Sequence, residues 1–173
     1  GIRSGKTIAG ISECIKQIYK YHSRPPLGWI ISPTYPMSLI PERIFRQMAV
    51  TNNGSLIMTE RKGERAFLMR PSVKDPDSIF RVEFKSAEDA DRLRGASISW
   101  VLLDEGAMMK EEVFTVLQGR VMDNAGLIMI TTSPQGENWL YHRVAKRALD
   151  DSRYAIIKCR MDENFHLPPD EVK

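Results

Sequence analysis

Cysteine is scarce: 173 residues hold two, Cys14 and Cys159. They stand far apart and outside any metal-ligand spacing, which excludes a disulfide framework and a cysteine zinc site. They read as small buried or half-buried side chains in a reducing compartment. The three histidines, His22, His142 and His166, form no ligand spacing either. No apolar run reaches the length of a membrane-spanning helix, and no signal-peptide pattern is visible. Internal repeats and low-complexity stretches are absent. Charge of one sign is not in excess: the net charge is +3 and the pI about 8.9. That is compatible with a nucleic-acid partner but is no argument for one. Trp29, Trp100 and Trp139 sit on apolar faces and read as core, not as base-stacking platforms.

What is present is an ordinary globular composition, 42% hydrophobic and 27% charged, long enough for one domain with a core. The most informative stretch comes first: Gly1-Ile2-Arg3-Ser4-Gly5-Lys6-Thr7. It is a phosphate-binding loop of the pattern G-x-x-x-x-G-K-[ST] without its leading glycine. Backbone N–H groups of such a loop point at phosphate oxygens, and the following helix adds its partial positive charge. Lys6 then reaches the β/γ-phosphates of a nucleotide and Thr7 places a hydroxyl on Mg2+. The chain opens inside this motif, so the reading expects a fragment whose P-loop strand lies before Gly1. Without that strand, the fragment's ability to fold alone is itself in question.

Residues 6–21 read as a helix with Ile8, Ile11, Ile15 and Ile18 on one face. Trp29-Ile30-Ile31 is a short buried strand, ended by Ser32-Pro33-Thr34-Tyr35-Pro36. A helix is expected to start at Pro41-Glu42. Residues 55–59 and 66–70 form a charged-tip hairpin, and residues 79–84 alternate as a half-exposed strand. The segment 98–105 is a continuous apolar run ending in Asp104-Glu105, as in a parallel strand buried on both faces. A helix over 110–122 turns Val113, Phe114, Leu117 and Val121 inward. Residues 127–130 read as a buried strand, 137–149 as a helix, and 154–159 as a last strand. The alternation of strands and helices predicts an α/β fold of the P-loop NTPase type, with a mainly parallel central sheet and an antiparallel hairpin insert. Residues 1–161 make the ATPase domain; the polar, proline-bearing residues 162–173 read as the start of a linker.

The chemistry gathers where strands end. Asp104 after a buried strand is positioned to hold Mg2+ with Thr7. Glu105 is placed to orient and polarise an attacking water. Thr131-Thr132-Ser133 follows the next strand; its hydroxyls either sense the γ-phosphate or cap the strand. Arg94, in Asp91-Arg92-Leu93-Arg94-Gly95, is either solvated or an arginine acting on a neighbour's nucleotide. Arg3 contacts phosphate, pairs with an acid or faces solvent. Two basic patches, Arg143 with Lys146 and Arg147, and Arg61 with Lys62 and Arg65, are weaker candidates for a phosphate backbone.

In order along the chain, Gly-Lys-Thr with an arginine inside its loop is followed by Ser32-Pro33-Thr34-Tyr35, Leu93-Arg94-Gly95 and Val101-Leu102-Leu103-Asp104-Glu105. Then come Thr132-Ser133-Pro134-Gln135-Gly136 with Trp139 beyond, and Asp162-Glu163-Asn164 with Leu167-Pro168. Together they resemble the ATPase domain of the large subunit of tailed-phage terminases. The resemblance covers nearly the whole chain. It implies a DNA-translocating ATPase with a catalytic glutamate, assembled as a homo-oligomeric ring on double-stranded DNA in the bacterial cytoplasm. Portal protein and terminase small subunit are its partners, and no membrane is involved. By it, Gly1, Ile2, Arg3, Ser4, Gly5, Lys6 and Thr7 bind nucleotide, and Thr7 and Asp104 serve Mg2+. Glu105 activates water, Thr132 and Ser133 couple hydrolysis to movement, and Arg94 acts on a neighbour's ATP. It also implies a nuclease domain after Lys173. The alternatives are a superfamily 2-like helicase core, which needs a second motor domain, and a nucleotide-binding regulatory module, which needs no water-activating acid such as Glu105.

Overall fold

A computed structural model describes residues 5–20, 26–50, 57–71 and 77–159. Helix α1 (Lys6–Lys20) leads to β1 (Leu27–Ser32), α2 (Tyr35–Val50), β2 (Ile57–Arg61), β3 (Ala66–Met69) and β4 (Phe80–Ser86). After a short 3-10 turn at Ala90–Leu93 come β5 (Trp100–Asp104), α3 (Glu111–Met122) and β6 (Leu127–Thr131). The strands form one sheet in the order β2-β3-β4-β1-β5-β6. The pairs β4/β1, β1/β5 and β5/β6 are parallel, whereas β2/β3 and β3/β4 are antiparallel. The hairpin is therefore an antiparallel edge on a parallel sheet.

Two cores sandwich that sheet. On one face α1 and α2 cover Ile30, Phe67, Phe84, Trp100 and Leu102. On the other, α3 sets Val113, Phe114, Leu117 and Val121 against Trp29, Ile31, Val101 and Leu103. These are the four α3 residues the periodicity turns inward. Every residue of β5 is buried; strand β4 alternates, with Phe80, Val82 and Phe84 inside. Its outward Glu83 accepts hydrogen bonds from Arg81 Nε (2.6 Å) and Trp29 Nε1 (2.9 Å) and pairs with Lys85 (3.0 Å). Trp29 and Trp100 are buried as expected. Close approach rests on glycine at two places. A Cβ on Gly28 would come within 2.2 Å of the Trp100 ring, and one on Gly10 within 2.8 Å of Thr131 Cγ2. The latter lets α1 lie directly on β5 and β6.

Several expectations need correction. Helix α2 begins at Tyr35, and Pro41 lies inside it. Burial of Ser38, Pro41, Phe45 and Ala49 along one face outweighs the backbone hydrogen bond that proline forfeits. The Glu88 carboxylate accepts the Tyr35 N–H at 3.0 Å and so satisfies one of the free donors of that helix's first turn. The buried stripe of α1 is Gly10, Ile11, Cys14, Gln17 and Ile18, while Ile8 is 54% exposed. Strand β6 is half-exposed, because among the described residues it pairs on one side only. Residues 137–149 are not one α-helix: a π turn spans Tyr141–Ala145 and a 3-10 turn Arg147–Leu149. Residues 154–159 make no strand, having no ladder partner among the described residues; Ile157 is 89% exposed. Cys14 is buried but Cys159 is exposed. Residues 162–173 lie outside the described residues.

Candidate phosphate and metal site

The parallel strands β5 and β6 end side by side, with Asp104 in register with Thr131. The N-terminus of α1 arrives at the same edge. Gly5 supplies the turn into it at φ +76°, and its carbonyl accepts the Ala9 N–H at 2.9 Å. Three elements then converge on one carboxylate oxygen. Asp104 Oδ1 accepts hydrogen bonds from the Thr7 hydroxyl (2.9 Å) and the Thr131 hydroxyl (2.7 Å). Asp104 is 5% exposed, so these bonds replace much of its hydration. Beside it, Lys6 Nζ donates to Ser133 Oγ at 3.3 Å. Thr132 Oγ1 accepts the Ala107 N–H (3.1 Å) and donates to the Ser133 carbonyl (3.2 Å).

Glu105 follows Asp104 at φ 54°, ψ 45°, a left-handed conformation, and opens a 3-10 turn over Gly106–Met108. For a residue with a Cβ this costs about 1–2 kcal/mol. Strain of this kind persists where the surroundings over-determine it, and it clusters at functional sites. The indole N–H of Trp139 donates to the Met109 carbonyl at 2.7 Å, and its ring lies 5.3 Å from that of Phe114.

The fold thus brings Gly5, Lys6, Thr7, Asp104, Glu105, Thr132 and Ser133 to one edge. Gly1, Ile2, Arg3 and Ser4 lie outside the described residues. Arg94 is elsewhere in its contacts: half-exposed, it pairs with Asp91 (2.8 Å) and Glu112 (3.7 Å). The basic patches are partly spent within the chain. Arg65 binds Glu42 and the Ser38 hydroxyl and lies over the Tyr35 ring; Arg143 binds Glu111 and Gln118. In the sequence Thr131 is one member of a hydroxyl-rich run, with nothing to set it apart. Its role depends on the β5/β6 register, for which the sequence carries no local signal.

Asp104 Oδ1 takes both hydroxyls. Among those residues no three His, Cys, Asp or Glu cluster to hold a metal. One carboxylate and one threonine hydroxyl suit Mg2+, which keeps several waters and takes its other ligands from phosphate. The residues present fit that ion.

The sheet, the glycine turn into α1 and the Thr7–Asp104 bond define a P-loop NTPase fold. A family model described as "Terminase large subunit, T4likevirus-type, N-terminal" matches residues 1–172, and the chain belongs to that family. The large terminase subunit of Thermus virus P23-45 is 32% identical over 155 residues, 82% of this chain. The chain spans 31% of that relative's length. The large terminase ATPase domain of Thermus phage P74-26 is similar in structure, with a TM-score of 0.61 at 29% identity over 82% of this chain and 60% of that one. The large terminase of another thermophilic bacteriophage, solved in complex with ATP-gamma-S, shares the fold at 16% identity. Its TM-score is 0.74, over 99% of this chain and 40% of that one.

Proposed function

We propose that this chain is the ATP-hydrolysing motor domain of a terminase large subunit, driving viral double-stranded DNA into a procapsid. The observation that carries the reading is the meeting of Thr7 and Asp104 through one oxygen, with Lys6 alongside, at the carboxyl edge of a parallel sheet. Family membership supports it, as does the nucleotide analogue bound by the thermophilic bacteriophage relative.

In this reading the loop 1–7 and Lys6 bind the ATP phosphates through N–H groups and a point charge. Thr7 and Asp104 would hold Mg2+, which when bound would offset the negative charge of the phosphates. Glu105 accepts a hydrogen bond from the attacking water and takes up its proton. Ser133, beside Lys6, lies where loss of the terminal phosphate is felt. Arg94, on the surface, acts on the nucleotide of the next subunit in a homo-oligomeric ring around DNA. Portal protein and small subunit dock on the assembly in the bacterial cytoplasm. Residues 1–161 form the motor, and 162–173 begin the linker to a nuclease domain.

The test is ATP turnover of the full-length protein, alone and assembled with small subunit and portal. Glu105→Gln should keep nucleotide binding and lower turnover by roughly 10²- to 10⁴-fold. Arg94→Ala should abolish only the stimulation that assembly brings. Turnover undiminished in Glu105→Gln sinks the motor reading; full turnover of a dilute monomer removes the trans role of Arg94.

A further inference from the structure

The turn that carries Glu105 is held in part by β6. Its own hydrogen bonds are short-range: Met108 N–H to the Glu105 carbonyl and Met109 N–H to that of Gly106, both 3.0 Å. Met109 packs into the core beside α3, and three further contacts come from β6 and the segment leaving it. Gly106 lies against Ile130, where a Cβ would come within 2.5 Å of Ile130 Cγ2. The Ala107 N–H donates to Thr132 Oγ1 at 3.1 Å. The Met109 carbonyl accepts the Trp139 indole N–H at 2.7 Å. A left-handed glutamate needs such support, since the backbone left to itself relaxes to another basin.

We infer that Thr132 is a positioning residue for Glu105 and not a ligand of the nucleotide, with Trp139 holding the far end of the same turn. The Thr132 hydroxyl is engaged in both senses: it accepts from Ala107 and donates to the Ser133 carbonyl at 3.2 Å. Ser133 in turn accepts from Lys6 at 3.3 Å. A phosphate that draws Lys6 away from Ser133 therefore acts on the residue next to Thr132, and through Thr132 on the aim of Glu105. The chain of contacts Lys6, Ser133, Thr132, Ala107, Glu105 makes the water-orienting group responsive to occupancy of the phosphate site.

This inference rests on the ATPase reading, and the experiment separates the two. In the full-length protein, kcat and KM for ATP are measured for Thr132→Val, Thr132→Ser, Trp139→Phe and Glu105→Gln. The dissociation constant of a fluorescent ATP analogue and exchange of the Ala107 amide hydrogen are measured alongside. Thr132→Val should lower kcat roughly 10- to 100-fold. KM and nucleotide affinity should stay within about twofold, the pattern of an interaction felt in the transition state. Thr132→Ser should restore kcat, the Ala107 amide should exchange faster in Thr132→Val, and Trp139→Phe should lower kcat in the same sense. A merely structural threonine leaves the kcat-against-KM split unmoved. Full kcat in Thr132→Val, a loss confined to KM or affinity, or no rescue by serine overturns the inference. Should Thr132→Val not fold, full kcat in Trp139→Phe overturns it. If Glu105→Gln itself turns over normally, the ATPase reading falls first.

Discussion

Gly10 is the position where packing and site geometry can be tested in one substitution. It lies on the face of α1 that meets the sheet, and a methyl group there would approach Thr131 Cγ2 at 2.8 Å and both Leu102 methyls at 3.1 and 3.2 Å. Neither neighbour can yield easily. Thr131 is held by Asp104 at 2.7 Å, and Leu102 is wholly buried. Overpacking of this kind costs about 1–3 kcal/mol. Alanine returns about 0.8–1.0 kcal/mol of helix propensity, so Gly10→Ala should be neutral to about 2 kcal/mol destabilising. The matched control is Gly119, also helical but exposed, where a Cβ meets nothing within 4 Å. Gly119→Ala should stabilise by about 1 kcal/mol, from propensity alone. At roughly 2–4 °C per kcal/mol the two melting temperatures should separate clearly. Because an outward shift of α1 carries Lys6 and Thr7 with it, Gly10→Ala should also weaken binding of a fluorescent ATP analogue, and Gly119→Ala should not. Equal stabilisation by the two substitutions would refute the packing argument; a destabilised Gly10→Ala with unchanged nucleotide affinity would refute its link to the site.

Two smaller tests concern other groups. Burial pushes the Cys14 thiol well above its ordinary value of 9.0, and the negative charges of Glu13 and Asp104 push it further. In the native protein at about pH 8 a disulfide reagent should therefore titrate Cys159 alone, Cys14 appearing only on unfolding; prompt reaction of both thiols refutes its burial. Burial raises Glu83, but the hydrogen bonds and charges of Arg81 and Lys85 outweigh it, so its folded pKa lies below the ordinary 4.5. The stability it contributes is complete above that value and is lost as the pH falls through the folded pKa, so Glu83→Gln should flatten the acid limb of a stability-against-pH curve.

Much of the site was legible because its chemistry is written in contiguous residues. Gly5-Lys6-Thr7 and the buried run into Asp104-Glu105 each announce a local structure and a charge pattern, and the α3 periodicity names its buried face correctly. What escaped was long-range. Thr131 matters because β6 aligns with β5 in one register, and no residue near it says which. Thr132 reads from sequence as either a phosphate sensor or a cap, and nothing near it says that its hydroxyl accepts a backbone amide twenty-five positions away. The start of α2 was misplaced because a proline inside a helix is tolerated where its face is buried, a fact of tertiary packing. Residues 154–159, with Tyr154, Ile156 and Ile157, satisfy strand propensity, yet a strand exists only through a partner. The left-handed Glu105 has no signature either, since glutamate has no special preference for that conformation.

The shared oxygen of Asp104 also bears on how the chain assembles and resists unfolding. It joins residues 97 and 27 positions apart, so the site closes only after chain segments of very different separation have come together. Contacts of high sequence separation are slow to form because loop closure must precede their reward. Whatever binds at that joint grips α1, β5 and β6 at once and cannot bind the unfolded chain. By mass action, a ligand present at 100 times its dissociation constant adds about 2.7 kcal/mol to the unfolding free energy. A nucleotide bound there would thus act on this domain as a removable cross-link, and the domain's resistance to proteases would rise and fall with occupancy of the site.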